Sequence, residues 1–318
     1  MVLIDATHIN VGGGKVLLVE LLNGFRNVKD EIILVLDNRI NWLHLPVKDN
    51  VRIIFVEGTV ISRTLLIFKL NRKYNIKSIF YFNGLPPVIN FKKNKTFAYF
   101  QNTTILKNKL KRLYFKLFQR NVETWIFQTQ LTRNDYLQKF TPRNTLVIPF
   151  FPMPLESKNK CLSKNLFFFY PTANQIHKNN NILIETFKKL YNSGIDVKLE
   201  LTLKREDYSG EITPNINFLG VLPRQEVLQK YASRCTMIHP SMEESFGLVL
   251  IEACQYDLNI VTSDLPYVFQ IIQPTAVFNP YDPDDIFRVV LNYIENYVYN
   301  PAKLNVKNEV NRLINLIL

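Results

Sequence analysis

Two glutamates in the stretch HPSMEESFGLVLIEACQY (residues 239–256) are the first side chains here whose type and spacing point to chemistry. Glu252 lies inside a run of aliphatic residues that is typical of a buried helix, and Glu244 comes just before that run. An unpaired carboxylate that leaves water costs several kcal/mol or becomes protonated. No Lys, Arg or His follows Glu244 within the run, so the partner of Glu252 must be a distant protein group or a ligand.

The polar loop NQIHKNNN (174–181) is the second candidate, because His177 and Lys178 stand there just before a predicted helix. The loop follows the first predicted strand of the second half of the chain, a position at which parallel sheets bind ligands. A lysine at that point can neutralise a diphosphate as a point charge. An isolated surface lysine is the alternative, and the position of the loop favours the functional interpretation.

Gly12, Gly13 and Gly14 follow the first predicted strand and open a helix. Backbone N–H groups of such a turn can approach an anion. The stretch is not a dinucleotide fingerprint, because Leu17 replaces the third glycine, and not a P-loop, because Val16 replaces the Ser or Thr. The turn therefore either contacts a phosphate or sugar or is only a tight connection.

Near-continuous apolar runs alternate with helical stretches in both halves of the chain. Such runs are expected for parallel strands covered on both faces, and the alternation predicts doubly wound α/β sheets. The length of 318 residues suits two domains. We predict a Rossmann-like domain over 1–150, a linker over 151–164, a second Rossmann-like domain over 165–298 and a helical segment over 299–318. The two domains are expected to face each other across a cleft.

The composition is that of a globular protein, with 47% hydrophobic and 21% charged residues. Three widely spaced cysteines form neither a disulfide framework nor a metal pattern, so we expect a reducing cytoplasm. The N-terminal stretch lacks the basic start and long apolar run of a signal peptide, and no apolar run is long enough to predict a membrane span.

The formal net charge of +12 is concentrated in residues 104–120, TILKNKLKRLYFKLFQR, which hold six basic side chains and no acidic one. Leucines recur there at helical spacing. A basic amphipathic helix predicts docking on an anionic membrane surface, and a core-packed helix with a solvated basic face is the alternative. Nucleic-acid binders usually interleave cations and aromatics across a surface, so we expect no nucleic-acid partner.

The acidic run DPDD (282–285) immediately precedes a predicted helix. Side-chain capping and a favourable helix dipole explain these acids better than metal binding. Because the four histidines are scattered and no Cys/His cluster exists, we predict no metal site.

The motif EESFGLVLIEA (243–253) resembles the signature of retaining glycosyltransferases with the GT-B fold, a family that includes many bacterial enzymes of capsule, exopolysaccharide and O-antigen assembly. HPS precedes the motif, NIVTSD follows it at the expected distance, and FLG (218–220) and HKN (177–179) match stretches upstream. The resemblance covers most of 165–290, whereas the first half shares only the architecture and the glycine turn. It implies two Rossmann-like domains and no cofactor besides a nucleotide-sugar substrate.

The resemblance also implies roles. Glu252 would accept hydrogen bonds from the ribose hydroxyls of the donor, and Glu244 would contact hydroxyls of the transferred sugar. Lys178 would hold the diphosphate together with backbone N–H groups at the start of the helix. The other implied donor-site residues are Ser245, Phe246, Gly247 and Leu248 at the helix start, Gly220 beside the nucleobase, Asn174, and Gly12, Gly13 and Gly14.

One position departs from the family pattern. Many members carry an Arg five residues before the lysine, where this chain has Ala173, followed by Asn174. Charge neutralisation then depends more heavily on Lys178 and helix dipoles, or Lys15 substitutes for the missing cation.

We therefore predict a glycosyltransferase that moves a sugar from a UDP- or GDP-linked donor to a glycan or lipid-linked acceptor in cell-surface polysaccharide biosynthesis. Retention and metal-independence follow from the resemblance. His8, Gln101 and Asn102 are candidates for the acceptor-activating base, and His8 is preferred. The enzyme would lie at the cytoplasmic face of the membrane, docked through 104–120. A non-catalytic nucleic-acid- or lipid-binding protein on the same fold and a sugar-nucleotide epimerase are the alternatives.

Overall fold

The computed structural model describes residues 1–9, 12–39, 45–154, 167–233 and 236–318. The chain forms two compact units, one made of Met1–Pro152 with Lys307–Leu318 and the other of Met153–Val306. Most of the predicted linker, residues 155–164, lies outside the described part of the chain. None of the described helices is long and apolar enough to cross a bilayer.

The first unit contains a seven-stranded sheet in the order β3-β2-β1-β4-β5-β6-β7, and every pairing in it is parallel. The parallel, doubly wound sheet predicted for this half is confirmed. The strands are β1 (Val2–Asp5), β2 (Ile32–Asp37), β3 (Val51–Val56), β4 (Ser78–Tyr81), β5 (Lys95–Phe100), β6 (Thr124–Phe127) and β7 (Asn144–Val147). The helices between them are α1 (Gly13–Gly24), α2 (Val60–Lys73), α3 (Lys109–Phe118) and α4 (Gln130–Leu137).

The second unit repeats this architecture with a six-stranded parallel sheet in the order β10-β9-β8-β11-β12-β14. Its strands are β8 (Phe167–Tyr170), β9 (Lys198–Leu201), β10 (Ile216–Phe218), β11 (Thr236–His239), β12 (Asn259–Ser263) and β14 (Ala276–Phe278), and β13 (Ile272–Gln273) pairs antiparallel with β15 (Lys303–Leu304). The helices are α5 (Asn180–Asn192), α6 (Arg224–Ser233), α7 (Leu248–Gln255), α8 (Pro266–Ile271) and α9 (Pro283–Glu295). In each sheet the strand order reverses beside the first strand, which creates a switch point.

Burial explains why the apolar runs are continuous rather than alternating. Every residue of β1, β2, β4, β6, β11 and β12 is buried, because helices cover both faces of the sheets. Each unit has its own core, with Trp125 and Tyr136 at the centre of the first and Phe168 and Phe187 in the second.

The C-terminal end of the chain packs on the first unit through helix α10 (Val310–Ile317). The side chain of Ile314 in α10 packs directly on Gly24 of α1. The predicted helical segment 299–318 is helical only within α10. Lys303 and Leu304 form a strand instead, because they pair with β13.

The basic stretch 104–120 is not one continuous helix. A short 3-10 turn covers Thr103–Leu106, and α3 begins at Lys109 because the Asn108 side chain accepts a hydrogen bond from the Lys111 N–H and caps it. Leu106 is buried, whereas the leucines within α3 point to solvent.

The acidic run DPDD is a helix cap, as predicted. Asp282 Oδ1 accepts hydrogen bonds from the N–H groups of Asp284 and Asp285 at 3.0 and 3.3 Å, at the start of α9. We expect Asp282→Ala to lower the free energy of unfolding by about 1 kcal/mol, measured by urea denaturation. Glu295→Ala at the other end of α9 is the control, and an equal loss in both variants would contradict a capping role.

Candidate functional site

Two loops of the second unit meet at its switch point, where β8 and β11 are neighbours. Lys178 lies on the loop that follows β8, and Glu244 lies on the loop that follows β11. The Met242 N–H donates to the His177 carbonyl at 2.8 Å, and the Tyr170 hydroxyl donates to the Lys178 carbonyl at 2.8 Å. The fold therefore joins the two candidate loops at the position where doubly wound sheets bind ligands.

Lys178 and Glu244 form an ion pair between these loops. Lys178 Nζ lies 2.5 Å from Glu244 Oε1, and the two side chains are only 14% and 13% exposed. His239 Nε2 lies 3.3 Å from the same oxygen. Burial raises the pKa of Glu244, but the contact with His239 and the charge of Lys178 outweigh it and lower that pKa to about 2. Glu244 is therefore ionised at neutral pH and accepts hydrogen bonds without donating any.

His239 is a site residue that the sequence analysis missed, although it begins the HPS motif. Its side chain is completely buried, and Nδ1 lies 3.4 Å from both Thr262 Oγ1 and Tyr267 OH. Burial lowers the pKa of His239, although the neighbouring Glu244 opposes this effect. Nε2 lies 3.3 Å from the ionised Glu244 carboxylate without the geometry of a hydrogen bond, so the imidazole is a close polar neighbour of that carboxylate.

Helix α7 begins beside this ion pair. Gly247 precedes it with a φ of 66°, and a Cβ there would lie 3.2 Å from Ile271 Cδ1, so the turn requires glycine. The first turn, which starts at Leu248, contains no acidic residue, and the N-cap residue Gly247 contributes no side-chain cap. The dipole of α7 thus favours an anion at its N-terminus, next to Ser245 and Phe246.

Glu252 is buried within α7 as predicted, and its partner is a distant protein group. Arg224 Nε, at the start of α6, donates to Glu252 Oε1 at 2.8 Å, and the two side chains are 35% and 8% exposed. A ribose is therefore not required to explain this buried carboxylate. Burial raises the pKa of Glu252, and the charge of Arg224 opposes that rise. Among the described residues only Arg224 donates to Glu252, which leaves Oε2 for a further donor.

Two predicted donor-site residues lie on neighbouring loops of this unit. Gly220 follows β10 with a φ of 71°, and a Cβ added there would meet no atom within 4 Å. Asn174 Nδ2 donates to Asp207 Oδ1 at 2.9 Å and thereby joins the loop after β8 to the loop after β9. Open space beside Gly220 is compatible with a flat ligand group there, whereas Asn174 has a protein partner.

The residues of the first unit that were predicted to activate the acceptor lie beyond the carboxyl ends of β1 and β5. His8, Gly14, Gln101 and Asn102 line a cavity of about 580 Å³. His8 has a left-handed backbone with a φ of 66°, an uncommon conformation for a residue other than glycine that is often found at functional sites. Burial lowers the pKa of His8, and the nearby charge of Arg63 lowers it further. The imidazole is therefore neutral at pH 7 and can accept a proton.

The glycine turn stands at the start of α1 in this same unit. Gly12 has a φ of 66°, a Cβ added there would meet no atom within 4 Å, and Gly13 is the first residue of the helix. A Cβ at Gly14 would lie 3.4 Å from Gln101 Oε1, which is an ordinary van der Waals contact. A tight connection accounts for this geometry, and contact with a phosphate or sugar stays a prediction.

A buried ion pair that the sequence analysis missed lies next to this cavity. The Arg63 guanidinium donates through Nε to the Asp5 carboxylate and through Nη2 to the Leu85 carbonyl at 2.6 Å. Both charged side chains are almost completely buried, and Leu85 lines the cavity. A pair separated by 58 residues leaves no local pattern from which it could have been found.

A family model establishes the relationship of the second unit. Residues 155–309 match the family described as Glycosyl transferases group 1, and this range covers nearly all of Met153–Val306. The second unit belongs to the glycosyl transferases group 1 family.

A curated relative that this chain resembles is the O-antigen chain mannosyltransferase RfbU of Salmonella typhimurium, 25% identical over 169 residues. The match covers 46% of this chain and 47% of that protein, so it spans about half of the relative's length. It confirms the predicted resemblance to glycosyltransferases of bacterial polysaccharide assembly.

Solved structures confirm the predicted GT-B fold. Sucrose-phosphate synthase from Thermosynechococcus elongatus aligns with a TM-score of 0.72 at 14% identity, over 99% of this chain and 94% of that chain. HepE from Anabaena, in complex with UDP, aligns with a TM-score of 0.68 at 15% identity, over 94% of this chain and 90% of that chain.

Within this group 1 unit, the described residues bring Lys178, Glu244 and the start of α7 together at the switch point, with Glu252 further along the same helix. His8 and the glycine turn belong to the other unit. Over the described ranges, no group of three or more His, Cys, Asp or Glu side chains is placed to hold a metal ion.

Proposed function

We propose that the chain transfers a sugar from a UDP- or GDP-linked donor to a glycan or lipid-linked acceptor in cell-surface polysaccharide biosynthesis. The observation that carries this proposal is the Lys178–Glu244 pair, held at the switch point of a unit that belongs to a glycosyltransferase family. The name of the Salmonella relative supports an O-antigen type of glycan, and the UDP in the Anabaena structure supports a nucleotide donor.

Transfer breaks the bond between the anomeric carbon and the donor diphosphate, and negative charge then grows on the leaving diphosphate. Lys178 and the N-terminal dipole of α7 stabilise that charge. When the diphosphate takes Lys178 Nζ, Glu244 is released to accept hydrogen bonds from hydroxyls of the transferred sugar. His239 stays in contact with Glu244 and keeps its carboxylate in place. The family resemblance supports retention of configuration, a metal-independent reaction and no cofactor besides the donor.

Glu252 binds the ribose in this proposal with the help of Arg224. Arg224 Nε occupies Oε1, and a ribose hydroxyl donates to Oε2. The side chain of Arg224 is 35% exposed, so this pair is close enough to solvent for a ligand to reach it. Gly220 leaves room for the nucleobase.

The acceptor site in this proposal is the cavity of the first unit. His8 receives the proton of the attacking hydroxyl, because its lowered pKa makes it neutral at the pH of the reaction. Side-chain amides of Gln101 and Asn102 supply hydrogen-bond partners for a sugar in the same cavity.

Helix α3 supports a place for the enzyme on the cytoplasmic face of the membrane. Leu110, Leu113 and Leu117 are 79%, 55% and 64% exposed, and lysines and an arginine flank them. Exposed leucines beside cations suit the interface of an anionic bilayer.

The proposal is tested by incubating the chain with UDP-glucose, UDP-galactose, UDP-N-acetylglucosamine and GDP-mannose and measuring released nucleoside diphosphate. We expect one donor to be used and release to accelerate when lipid-linked glycan is added. Conversion of the donor sugar without release would instead identify an epimerase. If all four donors stay intact and calorimetry detects neither UDP nor GDP binding, the proposal fails.

A further inference from the structure

Helix α2 in the first unit carries an apolar stripe on its solvent side. Ile61, Leu65 and Phe68 follow one another at helical spacing and are 73%, 54% and 41% exposed. The opposite face of α2, which includes Ile67 and Leu70, is buried in the core. Large apolar side chains that are exposed as a continuous stripe indicate a contact surface.

The charged residues within α2 itself are all positive. The last two turns of α2 contain Lys69, Arg72 and Lys73, and the sequence of the helix, VISRTLLIFKLNRK, has no acidic residue. Helix α3, KLKRLYFKLF, has no acidic residue either. Both helices therefore combine exposed apolar side chains with cations only, and the partner that complements both features is an anionic lipid surface.

The two helices are held at the same loop and form walls of the same cavity. Arg63 of α2 donates to the Leu85 carbonyl at 2.6 Å, and the Tyr114 hydroxyl of α3 donates to the next carbonyl, that of Pro86, at 2.6 Å. Val60 of α2 lines the cavity of about 580 Å³ together with Tyr114 and other residues of α3. Both exposed stripes therefore belong to helices that border one cavity.

We propose that α2 and α3 dock together on an anionic bilayer and present the cavity of the first unit to lipid-anchored acceptors. This inference rests on the proposed function and deepens it by naming the class of acceptor. A single helix of ten residues with three exposed leucines gives weak, reversible attachment, whereas two such elements side by side add their binding free energies. The cavity then receives the glycan head group while the lipid of the acceptor stays in the bilayer.

Vesicle sedimentation with the full chain tests whether the exposed stripes of α2 and α3 bind an anionic bilayer. Vesicles of phosphatidylcholine alone are compared with vesicles that contain phosphatidylglycerol, using three triple variants. The first changes Ile61, Leu65 and Phe68 to Gln, the second changes Leu110, Leu113 and Leu117 to Gln, and the matched control changes the exposed Ile212, Phe269 and Val298 of the second unit to Gln.

We expect the wild type to bind anionic vesicles, each of the first two variants to lose at least about tenfold in affinity, and the control to bind normally. Wild-type binding by the α2 variant would overturn the inference while leaving docking through α3 intact. Sedimentation velocity tests the alternative that a second copy of the chain, and not lipid, covers this face of α2. A wild-type dimer that dissociates in the α2 variant would support that alternative.

Activity measurements separate this inference from the proposed function. The α2 variant should bind the donor nucleotide like the wild type and should glycosylate a water-soluble acceptor at the wild-type rate, with a loss of at least about tenfold only on acceptors embedded in vesicles. Equal rates on soluble and embedded acceptors in all proteins would contradict the inference and leave the glycosyltransferase proposal standing. A chain that neither binds nucleotide nor transfers sugar would contradict the proposed function itself.

Discussion

Lys178→Ala is expected to reduce the rate of sugar transfer by about 100- to 1,000-fold. The substitution removes the cation that the structure places 2.5 Å from Glu244 and that the proposed mechanism assigns to the leaving diphosphate. Because Ala173 and no cation stands five residues before Lys178, the loop after β8 has no second lysine or arginine to take over. The measurement is the initial rate of transfer with the donor that the panel identifies.

Lys189→Ala is the matched control for this prediction. Lys189 lies on the following helix α5 and also forms an ion pair, with Asp284 at 2.7 Å, but both side chains are largely exposed. Such surface pairs contribute little, so we expect unchanged transfer. Calorimetry adds a second readout, because Lys178→Ala should weaken binding of UDP or GDP more than binding of the nucleoside alone. Equal losses for both ligands would mean that Lys178 supports the site only structurally.

The pH dependence of sugar transfer gives a further check on the Lys178–Glu244 pair. The depressed pKa of Glu244 means that its ionised form stabilises the native state above the ordinary glutamate pKa of 4.5, and that this contribution disappears as the pH falls toward about 2. Without Lys178 the effect of burial on Glu244 is opposed only by His239, so its pKa must rise. The acidic limb of kcat/KM, which reports the enzyme before the donor binds, should therefore move to higher pH in Lys178→Ala.

The strands were predictable from the sequence because their burial leaves a direct signature. Runs such as IILVLD and TWIF are buried at every residue, and a parallel sheet covered on both faces requires such runs. Helix α2 is harder to predict, because its exposed Ile61, Leu65 and Phe68 obscure the amphipathic pattern that separates a core-facing helix from an apolar strand. The end of the chain was misjudged for a related reason, since the pairing of β15 with β13 depends on contacts distant in sequence.

The candidate site was predictable residue by residue but not contact by contact. Lys178 and Glu244 were both recognised from their loops, yet their ion pair joins positions 66 residues apart. His239 was passed over because a histidine at the end of an apolar strand has no spacing signal of its own, although the fold places it 3.3 Å from Glu244. Local patterns indicate which side chains stand at strand ends, whereas the strand order decides which of those ends are neighbours.

Glu252→Gln is expected to weaken binding of the donor nucleoside diphosphate by about 1–3 kcal/mol, because a ribose hydroxyl loses an ionised acceptor. Arg224→Gln should weaken it as well, although the guanidinium acts through Glu252: its Nε holds Oε1 at 2.8 Å and opposes the burial that raises the pKa of Glu252. A double-mutant cycle measured by calorimetry separates the two roles. If Arg224 only positions Glu252, the double variant binds no more weakly than Glu252→Gln alone.

The direction in which nucleotide affinity changes with pH follows from the Arg224–Glu252 pair. Affinity that needs the ionised carboxylate falls as the pH drops through the raised pKa of Glu252, and loss of Arg224 moves that midpoint to higher pH. Arg224→Gln should therefore lose more affinity relative to the wild type as the pH is lowered, and Arg224→Lys should recover part of the loss. Lys230→Gln is the matched control, because Lys230 lies on the same helix and pairs with another buried carboxylate, Glu200, at 3.3 Å. Additive losses in the cycle, or a pH-independent loss in Arg224→Gln, would show that Arg224 contacts the nucleotide directly and that Glu252 does not depend on it.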